Sequence, residues 1–560
     1  MEKVMKSTDC ANCGSTFDIT DWDLSFYAKM NVPEPTHCPD CRRQRRMAQI
    51  NQINLFQRKC SVTGENIISN YPEESPYKVY KQEYWHGEKY DGKEFGRDFD
   101  FNRPFFEQYN ELNLATPRAA LFTHFWRDEN SEYTNFAGMN KNCYLIFDSD
   151  EDWDCYYSYG MNHSKNCSDC YRVQFLELCY EAVDSKNCVN CNFTYNSENC
   201  AESWFLNNCI GCKYCVMCSN LRRKDYCYKN EPVSKERYAE ILAEMKSYEN
   251  LELMKKEFAE YRLKFPQKYM RGMQNENCTG NNLVHSKNAF NCFDSMYIWD
   301  GKYCSQVFIK AKDIMDSDEV GVAELNYDSN NLAYNCYNMR FSYMCMEQIR
   351  DMDYCNWCFH CGNLFGCVGL KRVQYCILNK QYTKEGYEEM VPRIIEHMKK
   401  TPATAGQTGE WGEYFPIKDS SFPYNLTMAQ EHFPLTKEEA LAKGYKWRDP
   451  DKKEYRPQKY QIPDNIGDVP DSIVDELLAC AGCGKNYKIV PAELKFLKEK
   501  GIPIPRKCFH CRHADRFKPR PPRKLWDRKC DKCGVDISTA YPPERPEEVY
   551  CEKCYIDSLG

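Results

Sequence analysis

Cys10, Cys13, Cys38 and Cys41 recur 470 residues later as Cys480, Cys483, Cys508 and Cys511. The register runs on without a gap, so that Cys60 matches Cys530, Tyr71 matches Tyr541 and Tyr84 matches Cys554. Gly14/Gly484, Phe26/Phe496, Arg42/Arg512, Arg46/Arg516 and Val79/Val549 coincide as well. A unit of two small cysteine modules therefore stands at each end of the chain and brackets everything between.

Each C-x2-C pair is a knuckle, and two knuckles place four thiolates around one tetrahedral ion. The spacing predicts zinc at three sites: Cys10, Cys13, Cys38 and Cys41; Cys480, Cys483, Cys508 and Cys511; Cys530, Cys533, Cys551 and Cys554. Four cysteines close the coordination shell, which marks a structural rather than a catalytic metal. Iron in the same ligands is the chemical rival. The last two ligands of the first unit open the run CRRQRRMAQINQI, a predicted helix whose positive N-terminus favours thiolate charge. Asn31 and Gly501 are matched left-handed helix stops. A fourth site would need residues 60, 63, 81 and 84, but the chain has Cys60, Thr63, Lys81 and Tyr84 there. That copy is expected to be a metal-free ribbon held by packing.

The pattern C-x2-CG, L-x-F, Pro, C-x2-CR resembles the bacterial probable zinc-ribbon (treble-clef) zinc-binding domain family. The ending YPPERPEEVYCEKCY is similar to a second zinc-binding domain often paired with it. The resemblance covers roughly a quarter of the chain. It implies zinc and a treble-clef fold at the twelve cysteines, and little about function.

The chain has 560 residues, of which 36 are Cys, with a formal net charge of -7. No apolar run suits a membrane span, and the start MEKVMKSTDCANCG lacks an apolar signal core. Cysteines without a signal read as metal ligands or buried thiols of a reducing, cytoplasmic protein rather than disulfides. The negative balance argues against a general nucleic-acid coat.

Between the brackets lies a second repeat. Asn166-Cys167, Asn187-Cys188 and Asn208-Cys209 are 21 residues apart, as are Cys170, Cys191 and Cys212. This predicts a β-solenoid with coils of about 21 residues, Asn at left-handed corners and inward Cys filling a narrow lumen. The lumen cysteines read as a thiol ladder, with extra metal or reactive thiols as alternatives. An offset of 149 relates 220–241 to 369–390, so the solenoid is doubled. Each half is followed by an amphipathic helix, about 234–264 and 384–399, expected to cap the coil's open end.

The fold expected is mainly β with α. It comprises zinc ribbon 1 (1–50), a degenerate ribbon (51–95), a connector (96–135), solenoid half 1 (136–232), a helix (233–270), half 2 (271–382), a helix (383–400), a partly ordered connector (401–479), and zinc ribbons 2 (480–520) and 3 (521–560). Arg42, Arg43, Arg45 and Arg46 in the first unit, with Arg512, Arg516, Lys518, Arg520, Arg523 and Lys524 in the last, are candidate RNA or DNA contacts. The acidic run Asp148, Asp150, Glu151, Asp152 and Asp154 lacks calcium-loop spacing and reads as a solvated loop. No P-loop, G-x-S-x-G or H-E-x-x-H motif is present. The sequence therefore favours a non-enzymatic zinc scaffold or adaptor with an unknown protein partner. A thiol redox or soft-metal-handling protein and a purely structural, oligomerising zinc protein are the alternatives.

Overall fold

The computed structural model describes residues 2–401, 409–450 and 455–559. It is mainly β with helices at both ends and between the two central halves.

The central halves rest on a backbone rule of three. From Phe136 to Lys229 every third residue has positive φ, without a break. Two extended residues followed by one left-handed residue turn the chain through a corner, and four corners close a loop. The chain therefore returns over itself after 12 residues: Tyr144 pairs in parallel with Tyr156, Tyr159 with Tyr171, and Trp204 with Val216. One unbroken column of parallel pairs runs Glu129, Lys141, Trp153, Lys165, Glu177, Val189, Ala201, Lys213, Asp225. The expected 21-residue coil is thus corrected to 12. Cysteines recurred at 21 because that is seven triplets. Every triplet has one inward position, so inward residues can repeat at any multiple of three.

A left-handed corner costs a non-glycine residue about 1–2 kcal/mol. Two features offset it. Each triplet donates two hydrogen bonds to neighbouring rungs, such as Lys141 N–H to Asp152 O (2.9 Å) and Asn142 N–H to Glu129 O (2.9 Å). Corner side chains also ladder: Asn130 donates to Asn142 (3.1 Å), Asn142 to Asp154 (3.1 Å) and Asn187 to Asn199 (3.2 Å). Asn and Asp suit both tasks, as expected for these corners.

The lumen uses small side chains that satisfy carbonyls. Cys143 Sγ donates to Lys141 O (3.4 Å) or Asp152 O (3.3 Å), and Cys179 Sγ to Glu177 O (3.3 Å) or Cys188 O (3.4 Å). Inward serines do likewise, and also accept from the next rung: Ser158 Oγ donates to Tyr156 O (2.8 Å) and receives Cys170 N–H (2.9 Å). The second half runs by the same rule with uneven rungs of 11 (Glu276 to Lys287), 12 (Gly280 to Cys292) and 13 residues (Ala323 to Cys336).

The two coil stacks lie side by side and antiparallel. His124 meets Glu347 (3.1 Å), Asp148 meets Gln306 (3.0 Å) and Arg172 meets the Asp294 carbonyl (2.8 Å), so one chain number rises as the other falls. Each stack ends in a tight hairpin whose turn repeats at an offset of 149. Asn230 Oδ1 accepts from Ser219 N–H (2.9 Å), and Asn379 Oδ1 from Val368 N–H (2.8 Å).

Three boundaries change. The first stack begins at Thr123–His124, which pairs with Tyr133–Gly138, inside the expected connector 96–135. The rest of that connector is core: Phe105–Ala115 is a helix with Phe105, Tyr109 and Leu112 buried. In the connector 401–479, Trp411, Tyr414, Phe415, Phe422 and Tyr424 are buried, so it too is core; its residues 402–408 and 451–454 lie outside the described residues. The helix expected at 234–264 is two, Lys235–Glu244 and Tyr248–Tyr261, because Ser247 caps a new start. Leu251 and Phe258 pack in one cluster with Phe193, Trp204, Phe205 and Met217, on the flank of the stack rather than over its open end. The helix Lys384–Lys400 matches expectation.

A lumen built on small donors sets a mutational rule. Cys191→Ser keeps the bond to a carbonyl and is expected to change stability by less than about 1.5 kcal/mol. Cys191→Phe overfills the rung and is expected to cost about 1–3 kcal/mol or more. Urea denaturation followed by circular dichroism distinguishes the two.

Candidate metal centres and their docking helices

The four knuckles share one turn. Gly14, Gly64, Gly484 and Gly534 have φ of 72°, 73°, 74° and 75°, a region open to glycine. In each, the first cysteine's carbonyl accepts the glycine N–H at 2.9 Å. The second pair of ligands comes from a helix start. Cys38 caps the helix Pro39–Met47, Cys508 caps Phe509–Phe517 and Cys551 caps Glu552–Ser558, with Cys41, Cys511 and Cys554 in the first turns.

Three groups of four sulfurs result, each within 4.8 Å of one another, and each could hold a metal ion. They are the twelve cysteines that the spacing selects. Cys13 Sγ and Cys38 Sγ are 3.8 Å apart, Cys483 and Cys508 3.7 Å, Cys533 and Cys551 3.8 Å, too far for a disulfide. Backbone N–H groups converge on the buried sulfurs: Cys38 N–H on Cys10, Cys508 N–H on Cys480 and Cys551 N–H on Cys530, all at 3.2 Å. Burial alone would raise the Cys480 and Cys530 thiols. The backbone donors outweigh it and bring both down to about 6.

The fourth copy keeps this frame without its ligands. Lys81 N–H still points at Cys60 Sγ (3.3 Å), and Gly64 N–H still bonds Cys60 O. In place of thiolates, Lys81 Nζ pairs with Glu65 (2.6 Å), which also accepts from Thr63 Oγ1 (3.1 Å). An internal ion pair bridges the two limbs of this ribbon.

The basic residues are placed differently from the surface role expected of them. Arg46 is fully buried and bonds Asp318 (2.8 Å) and Asp328 (2.9 Å); Arg42 bonds Asp316 (2.7 Å); Arg45 bonds Glu413 (2.7 Å) and Asp328 (3.1 Å). In the last unit, Arg512 bonds Asp169 (2.7 Å) and Glu493 (3.0 Å), and Arg516 bonds Asp169 (2.6 Å). Arg520 pairs with Asp184 (2.8 Å) and Asp294 (2.7 Å), and Arg523 with Asp294 (2.8 Å). Arg43 donates to the Arg523 carbonyl (2.6 Å) and lies over Phe433. Of the ten candidates only Lys518 and Lys524 are exposed, and Lys524 pairs with Asp40 (3.2 Å). The correction follows from charge balance. A helix that buries guanidiniums against carboxylates of its own chain has no phosphate-binding face left on that side.

These bridges are duplicated. Arg42 and Arg512, like Arg46 and Arg516, are 470 apart, and each pair shares one left-handed corner aspartate: Arg42 and Arg46 reach Asp316 (2.7 and 3.4 Å), Arg512 and Arg516 reach Asp169 (2.7 and 2.6 Å). The first metal helix thus docks on the second stack, and the second metal helix on the first. The ribbons cross as well. Val79–Tyr80 pairs beside Arg118–Ala119 at the entry to the first stack, and Trp85 O receives Lys371 (2.6 Å) near the exit of the second. Val549–Tyr550 pairs beside Gln267–Lys268 at the entry to the second, and Tyr555 receives Arg222 (3.4 Å) near the exit of the first.

The lumen cysteines do not form such groups. Among the described residues only the three terminal sets bring three or more ligand atoms together. The lumen thiols are buried, apart from the half-buried Cys278, and burial keeps reaction partners from them. The acidic run is part of the coil and not a solvated loop. Asp148, Glu151 and Asp154 are left-handed corners, and Asp152 is fully buried in the lumen. No family model matches the chain, and no curated protein does. No helix among the described residues is long and apolar enough to cross a membrane.

Two measurements test this account. Arg516→Ala leaves Asp169 buried with half its partners and is expected to cost about 3–5 kcal/mol in urea denaturation. Lys518→Ala, exposed just past the end of the same helix, is expected to stay within about 0.5 kcal/mol. Burial, followed by the opposing effect of His124, sets the Asp150 carboxyl at about 7, against about 3.9 in the unfolded chain. The neutral form is therefore favoured by folding. Its contribution is fully present below pH ~4 and is lost as pH rises through ~7. Asp150→Asn is expected to remove this loss, so its melting temperature gains on the wild type from pH 5 to pH 8.

Proposed function

We propose that this chain is a zinc-dependent structural scaffold, in which two antiparallel β-solenoid stacks are locked together by metal modules at both ends. The duplicated bridge, Arg42 to Asp316 and Arg512 to Asp169, carries this reading. Each bridge begins on a helix whose first turn holds two cysteines of a tetrathiolate group. The metal orders the helix, and the helix orders the stacks.

Zinc fits the donor set. Bonds of about 2.3 Å to a tetrahedron of thiolates put neighbouring sulfurs about 3.8 Å apart, and the sulfur pairs here stand at 3.7 to 3.8 Å. Cys10, Cys13, Cys38 and Cys41 would hold one ion, Cys480, Cys483, Cys508 and Cys511 a second, and Cys530, Cys533, Cys551 and Cys554 a third. Four thiolates leave no open position for substrate or water, which supports a structural role. Nucleic-acid binding through the metal helices has little support once their arginines are buried. Redox work by lumen thiols has as little, since a partner cannot reach them.

Elemental analysis of the purified full chain is expected to give about three zinc ions and no iron. Chelation under reducing conditions is expected to lower the unfolding midpoint and to expose the stacks to proteolysis. Four ions, or a chelated chain as stable as the metal-loaded one, would refute the scaffold reading.

A further inference from the structure

One face of each stack is left uncovered, and the two faces carry the same column. In the first stack the parallel pairs run Glu129, Lys141, Trp153, Lys165, Glu177. In the second they run Glu276, Lys287, Trp299, Lys312, Glu324. All ten residues are exposed. The sequence hides this match. The offset wavers between 146 and 147 residues while the hairpins keep 149, because rungs of 11 and 13 residues intervene. The columns agree only when the coils are stacked.

The faces are also where exposed apolar side chains gather. Trp153 (46%), Phe175 (49%) and Val189 (41%) lie on or beside the first column, and Trp299 (38%), Tyr297 (39%) and Tyr337 (47%) on or beside the second. Clustered exposed apolar surface of this kind marks an interaction site. Each column already shows the contacts its residues favour. Glu129 pairs with Lys141 (2.9 Å), Glu276 with Lys287 (2.8 Å), and Lys165 Nζ stands 3.9 Å from the Trp153 ring centre.

The order of the column decides what it fits. Glu-Lys-Trp-Lys-Glu reads the same in both directions, with rungs about 4.8 Å apart. Two copies related by a twofold axis must satisfy residue i on j and j on i. With the axis on the Trp rung, Glu faces Glu and Lys faces Lys, which repel. With the axis half a rung away, between Lys141 and Trp153, Lys141 faces the other Trp153 and Glu129 faces the other Lys165. Every opposed pair is then an ion pair or a cation over an aromatic ring. The stripe is complementary to itself.

We propose that these two faces bind a second copy of this chain, column against column in antiparallel register. Each molecule bears two equivalent stripes on separate stacks, so the association extends into chains of molecules rather than stopping at a dimer. Sedimentation velocity of the metal-loaded full chain, over roughly two decades of concentration, tests this. Wild type is expected to shift to progressively larger species. Trp153→Ala with Trp299→Ala is expected to weaken association at least tenfold while leaving zinc content and circular dichroism unchanged.

Two charge variants separate pairing from general stickiness. One carries Lys141→Glu, Lys165→Glu, Lys287→Glu and Lys312→Glu; the other carries Glu129→Lys, Glu177→Lys, Glu276→Lys and Glu324→Lys. Each is expected to remain monomeric alone and to associate when the two are mixed. A wild type that stays monomeric throughout, a charge variant that associates alone as the wild type does, or a mixture that stays monomeric would each overturn the proposal.

Discussion

A buried guanidinium must find a carboxylate, and the whole architecture depends on four residues that meet this demand twice. Arg42 and Arg512 leave the metal helices and enter opposite coil stacks, where Asp316 and Asp169 wait at equivalent corners. Taking such charges out of water costs several kcal/mol per ion, so the bridges contribute less to net stability than to geometry. A helix that docks half a turn out of place leaves a bare charge in the core. Few alternative arrangements survive that penalty, and the position of each metal module is fixed accordingly.

The coil stacks answer a different constraint. Twelve residues make a narrow loop, in which cysteine and serine recur between larger inward residues such as Ile146, Met161, Leu176 and Leu206. Cysteine and serine each supply one donor close to their own backbone, and the carbonyl two residues earlier takes it. Both are compact, and the thiol adds some apolar character. The same economy explains the outer corners, where Asn and Asp tolerate positive φ and then hydrogen bond along the stack. Inside and outside are thus chosen by one repeating triplet.

Much of this could be read before any coordinates. The twelve ligands, the left-handed stops at Asn31 and Gly501, the lost fourth site, the doubled centre and the Asn corners all follow from spacing. The coil length did not, because any multiple of three preserves inwardness and 21 was the multiple that cysteine happened to show. The setting of the basic helices is not legible for another reason. A sequence shows charge but not what faces it, and Asp169 and Asp318 lie far along the chain from their arginines. The aromatic stretch around Trp411 and Tyr424 looked like a connector because proline breaks its periodicity, yet those rings are core.

The ribbon that lost its cysteines closes this molecule unevenly. At one end, Glu65 and Lys81 hold the limbs together with atoms that never leave the chain. At the other, the matching ribbon has four cysteines that, on the proposed reading, rely on an ion drawn from the surroundings. The two ends therefore respond differently to metal supply. On that reading, a fall in supply loosens the ribbon at the seam between the second stack's entry and the first stack's exit, while the ribbon at the opposite seam keeps its ion pair. A body built nearly symmetric acquires a hinge side and an opening side, and the direction in which it comes apart is written into three substituted positions, Thr63, Lys81 and Tyr84, beside a retained Cys60.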